Sequence, residues 1–134
     1  MTICAFLVDV YCLGVKDTLG PETANAGSLH TRLRYLYQAF DRTPLEIGLD
    51  QARAEVLGAV AYAHALGFAP APGFADLAPY LGEVSGDEPR IGFGRQSKPY
   101  YIAGPRDDAR HVIHTLEKSC GKDGFHYMVA AGQL

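Results

Sequence analysis

The sequence predicts an α+β fold: a mainly antiparallel sheet of about four strands with helices packed on it. The order is ferredoxin-like, βαββαβ, with extra helices in the first crossover. Three observations predict it. A run of β-branched and aromatic residues opens the chain from Ile3. Several helical periodicities punctuated by Gly and Pro follow. Two more β-rich stretches, 90–103 and 125–130, flank the last of those helices.

The first element is expected as one strand over 3–16, because Val, Ile, Phe and Tyr suit a pleated surface. Alternation places Ile3, Ala5, Leu7, Asp9, Tyr11 and Leu13 on one face and Cys4, Phe6, Val8, Val10 and Cys12 on the other. Both faces are mostly apolar, which predicts a central strand covered on both sides, with Gly14 marking a bulge or bend. Residues 18–28 are rich in Gly, Pro, Asn and Thr and read as a loop, with Ser28 as a helix cap. Leu29, Leu33, Leu36, Tyr37 and Phe40 recur at helical spacing, predicting a helix over 29–40. Thr43-Pro44-Leu45-Glu46 resembles a capping box with Pro at the first helical position, weakened by Gly48.

The strongest helical pattern runs from Asp50 to Leu66, with Ala52, Val56, Leu57, Val60 and Ala63 on one side and Gly67 as the stop. A shorter helix is expected over 74–81, ended by Gly82, and a polar loop over 83–89. Residues 90–94 and 99–103 read as a hairpin turning at Arg95-Gln96-Ser97-Lys98. Asp107 or Asp108 starts a helix carrying Ala109, Val112, Ile113, Leu116 and Cys120 on one side, closed by Gly121. Phe125–Ala130 is the last strand. No repeat, linker or low-complexity tract divides residues 1–134, so one domain is expected.

Composition narrows the function classes. Twelve Lys and Arg against fifteen Asp and Glu give a net charge of −3, which argues against a nucleic-acid partner. Arg32, Arg34 and Arg42 lie close together in sequence, as a solvated helix face would also have them. Three widely spaced cysteines are not a secreted disulfide framework. The opening apolar run lacks a basic start and is interrupted by Asp9, so it predicts neither a signal peptide nor a membrane span. The expected location is the cytoplasm of a bacterium, a setting that the excess of Arg over Lys and the abundant Ala and Gly also suggest.

Asp9 is the leading candidate for chemistry, because a carboxylate on an apolar strand is costly to bury without a partner. Cys12 and Lys16 share a face if the strand runs straight, and a nearby ammonium would give the thiol nucleophilic character. His126 supplies an imidazole, a common acid–base group. Asp9, Cys12, Lys16 and His126 therefore form the expected catalytic set of a small enzyme acting on a polar small molecule, with Asp17 at its margin. The rival reading is a non-catalytic module that binds a ligand or a protein through the Tyr-rich segment 92–105. There Arg95 and Lys98 would hold an anion and Tyr100 and Tyr101 would offer flat contacts. A homodimer is among the expected assemblies. His111 and His114, three apart, have metal-ligand spacing but face away from the apolar stripe, so no metal site and no cofactor is expected.

Four segments carry a resemblance: Phe6–Asp17, Ala63–Pro70, Lys98–Pro105 and His126–Val129. Together they resemble a small uncharacterised bacterial protein family. Some of its members carry a separate SecA-tail-type zinc motif, which this sequence lacks, so the zinc is not carried over. The resemblance implies one compact domain and no particular activity.

Overall fold

A computed structural model describes residues 1–83 and 86–133; Val84 and Ser85, within the expected loop 83–89, lie outside the described residues, as does Leu134. The chain is α+β. The strands are β1 (Thr2–Asp9), β2 (Gly14–Thr23), β3 (Tyr100–Ile102) and β4 (His126–Met128). The helices are α1 (Ala26–Tyr37), α2 (Leu49–Leu66), α3 (Phe74–Leu77), continued by a 3₁₀ turn over Ala78–Leu81, and α4 (Ala109–Cys120).

The first correction concerns the opening strand. It does not run from 3 to 16 but reverses after Asp9, and β1 and β2 pair as an antiparallel hairpin, with Leu7 opposite Asp17 and Asp9 opposite Gly14. The cause is local. Asp9 Oδ1 and Oδ2 accept the backbone N–H groups of Tyr11 and Leu13, each at 3.0 Å, which satisfies the tight turn from within. Gly14 enters β2 at φ +69°, where a side chain is strained. Residues 18–23, expected as loop, continue β2, and Asn25 rather than Ser28 caps α1. Ser28 completes the capping box by accepting the Asn25 N–H at 3.1 Å.

The second correction concerns the sheet. In place of one four-stranded antiparallel sheet there are two pairs, β1–β2 antiparallel and β3–β4 parallel. The expected hairpin over 90–103 shrinks to its turn. Gln96 (φ 53°) and Ser97 (φ 65°) close one bridge between Arg95 and Lys98. Pro99 then follows at once, with no N–H to extend the ladder. The flanking backbone is recruited elsewhere: Gly94 N–H donates to the Val10 carbonyl (2.9 Å) and Tyr100 N–H to the Tyr11 carbonyl (3.1 Å). β3 reaches β4 through α4, and a helical crossover joins strands in parallel.

The helices follow the sequence closely. Gly67 ends α2 at φ +103°, and the Asp108 side chain caps α4 by accepting the His111 N–H. The Thr43–Glu46 capping box starts no helix, and α2 begins only after Gly48. The core gathers Cys12 from the hairpin turn, Leu66 from α2, Tyr101 from β3, Ala109, Val112 and Leu116 from α4, and Phe125. Arg53, buried on α2, donates to the Leu81 carbonyl and pairs with Asp50 at 2.9 Å, tying α2 to the 3₁₀ turn. The Glu55 carboxylate accepts the N–H groups of Arg90 (2.6 Å) and Ile91 (3.2 Å), pinning the following loop to α2. α1 is the exception, because none of its residues is buried. Among the described residues no helix is long and apolar enough to cross a membrane.

A Cβ at Gly14 would lie 2.9 Å from both the Ala59 carbonyl oxygen and the Ala63 Cβ. Gly14→Ala is expected to cost about 2 kcal/mol or more, from the positive φ and the clash with α2 together. Urea unfolding checks this through the midpoint.

Candidate functional site

The residues singled out by the sequence fall into three separate places. Asp9 is half-buried and spends both carboxylate oxygens on the turn it closes. Cys12 sits at the tip of that turn with no exposure at all. Burial, then the negative charge of Asp9 and the proximity of Cys120, push its thiol up to about 12. It is therefore a protonated core side chain near neutral pH, not an activated nucleophile. The turn also separates it from Lys16, so the two do not share the face that a straight strand would have given them.

Lys16 is the extra residue where the β1–β2 register slips between Leu7 opposite Asp17 and Val8 opposite Val15. Such a bulge re-aims a side chain, and here the ammonium meets Asp107 at 3.3 Å. Asp107 is the hub of a small network. Its Oδ2 accepts the Tyr101 hydroxyl (3.0 Å) and the Gly104 N–H (2.9 Å). Burial raises its pKa, but the Gly104 N–H, the Tyr101 hydroxyl and Lys16 outweigh that and hold the carboxyl below the ordinary range. Burial, then the Asp107 carboxylate, raises the Tyr101 hydroxyl, which therefore stays protonated and donates. The sequence singled out Lys16 and Tyr101 but treated Asp107 only as an alternative helix cap.

The third place is the surface of the 95–100 turn. The Arg95 guanidinium lies over the Tyr100 ring (4.9 Å), and Tyr11 meets the same ring edge-on at 5.9 Å. Lys98 Nζ donates to the Asp123 carbonyl at 2.8 Å. His126 is exposed on β4, where its backbone N–H donates to the Pro99 carbonyl, and Asp17 is exposed on β2, accepting the Thr18 N–H. Among the described residues no hydrogen bond or ion pair links Asp9, Lys16 and His126. No three His, Cys, Asp or Glu side chains among them gather to hold a metal ion. His111 and His114 are exposed on α4.

A concave apolar surface lies between β1 and α1. A groove of about 590 Å³ runs along consecutive residues of β1 from Ile3 to Val8, takes in Asp17, Thr18 and Leu19 of β2, and is walled by Leu33, Leu36, Tyr37 and Phe40. Val56 and Ile91 close one side. A second hollow of about 540 Å³ shares Leu33, Tyr37 and Phe40 and continues to His30, Arg34 and Arg42. α1 is tied down at its start and by Arg32, whose Nε donates to Glu22 Oε2 at 2.7 Å. Its apolar stripe is therefore offered to the groove instead of sealing a core. The periodicity of Leu29 to Phe40 was visible in the sequence, but its exposure was not.

No family model matches the chain, and no curated protein or solved structure matches it either.

The Asp107 network makes a prediction with a definite sign. A carboxyl held below its unfolded value adds stability above the unfolded pKa and loses it as pH falls through the folded one. The difference in urea midpoint between the parent chain and Asp107→Asn should be full near pH 7, narrow below about pH 4 and vanish in more acid solution. A difference independent of pH would show that the charge of Asp107 does not matter.

Proposed function

We propose that the chain is a non-catalytic binding module that takes an apolar segment of another polypeptide in the groove between β1 and α1. The observation that carries this reading is the groove itself: a free strand edge on one side and an apolar helix face with no buried residue on the other. That combination suits recognition by strand addition, in which backbone bonds give affinity and flanking pockets select side chains.

The enzymatic alternative is less well supported. It needs Asp9, Cys12, Lys16 and His126 around one hollow. Instead Asp9 closes a turn, Cys12 is sealed in the core, Lys16 is paired, and His126 is exposed on another strand. The binding surface also moves from the Tyr-rich segment 92–105. Tyr101 is buried there, and Tyr100 is covered by Arg95 and Tyr11.

A fluorescein-labelled octapeptide alternating Val or Leu with Lys is a suitable probe, followed by anisotropy. Binding is expected, and Phe40→Asp should weaken it about tenfold or more, because the charge enters an apolar wall. Lys16→Met should leave it unchanged. Equal binding to the parent and Phe40→Asp chains, or no binding by a monomeric chain, would overturn the reading.

A further inference from the structure

β1 is an unguarded edge. It pairs with β2 on one side only, and among the described residues no backbone group of Thr2–Val8 bonds outside the hairpin. Native edges are commonly protected by Lys, Pro or an inward charge. The stretch Thr2-Ile3-Cys4-Ala5-Phe6-Leu7-Val8 has none of these. The first charge along it is Asp9, whose carboxylate is already committed to the turn.

We infer that the segment filling the groove is β1 of a second copy of this chain, paired antiparallel across a two-fold axis. This inference rests on the binding-module reading and names its partner. A two-fold that joins two antiparallel strands in one sheet stands perpendicular to that sheet and sets a residue opposite itself. With Ala5 on the axis, the smallest side chain of β1 meets its own copy. Cys4 then opposes Phe6, Ile3 opposes Leu7 and Thr2 opposes Val8. No charge faces a like charge, so the edge is complementary to itself. The result is a four-stranded antiparallel sheet, β2–β1–β1–β2, with both α1 helices on the same side.

The exposed side chains supply a large part of such an interface. Leu7, Leu33, Tyr37, Phe40 and Ile91 are each 40–55% exposed around the groove. Half-exposed side chains of this size leave roughly 450 Å² of apolar surface, more than half of the about 800 Å² that each partner gives to a standard interface. The strand edge itself adds to that. An apolar surface of this extent matches the largest patch of an ordinary monomer, and such patches are often functional.

Sedimentation equilibrium of the full chain tests the inference, with isotope-filtered NOE measurements on an equal mixture of labelled and unlabelled chains. The expected result is twice the 14.5 kDa chain mass, with NOEs between the β1 strands of the two copies around Ala5. Leu7→Lys should raise the dimer dissociation constant about tenfold or more while leaving the circular dichroism spectrum unchanged. If Leu7→Lys fails to fold, the NOEs of the parent chain decide alone. A monomer at every accessible concentration, or a dimer without β1–β1 NOEs, overturns the inference. A monomer that still binds the octapeptide through Phe40 overturns the self-pairing only. A monomer that binds nothing overturns the binding-module reading as well.

Discussion

The Asp9 carboxylate turns the chain, and the rest of the architecture depends on that turn. Two backbone N–H groups, of Tyr11 and Leu13, converge on its two oxygens and hold the chain in reversal. Hydrogen bonds to a charged acceptor are among the stronger ones, and they offset the cost of setting a carboxylate at the end of an apolar strand. The same turn drops Cys12 into the core and turns the Val10 and Tyr11 carbonyls outward, where the N–H groups of Gly94 and Tyr100 find them. One carboxylate therefore shapes the β1–β2 hairpin and docks it onto the β3–α4–β4 unit.

The two halves so joined differ in character. The β3–α4–β4 half is closed. Tyr101, Leu116 and Phe125 pack with Cys12 and Leu66, and Asp107 stitches Lys16 and Tyr101 beside them. The β1–α1 half is open, because the outer edge of β1 is free and, among the described residues, α1 is held by a cap and a guanidinium–carboxylate pair. Elements with little buried apolar surface lie at the low-stability end of a fold, where binding surfaces are commonly found. The functional reading follows from that asymmetry, not from any cluster of reactive groups.

Much of the helical structure was legible in the sequence. α2 and α4 follow their apolar periodicities, and Gly67, Asp108 and Gly121 mark their ends because each end condition is set by one residue's backbone or side chain. The hairpin was hidden. Asp9 looked out of place on a buried strand, yet the residue to read beside it was Gly14, which opens β2 at φ +69°. The sheet was misjudged for a related reason. Pro99 ends the ladder after a single bridge, and strands of three residues carry too little alternation to fix a partner. The groove was illegible for a different reason: the stripe Leu29–Leu33–Leu36–Tyr37–Phe40 has the same spacing whether it is covered or exposed. Only the position of α1 relative to β1 decides which.

Through-space proton contacts in the hairpin test the chain reversal at Asp9 most directly. Cross-strand NOEs joining Leu7 with Asp17 and Phe6 with Thr18, together with slow exchange of the Tyr11 and Leu13 amides, are the predicted result. Uninterrupted extended-chain contacts from Val8 through Lys16, with no cross-strand NOE between those pairs, would contradict it.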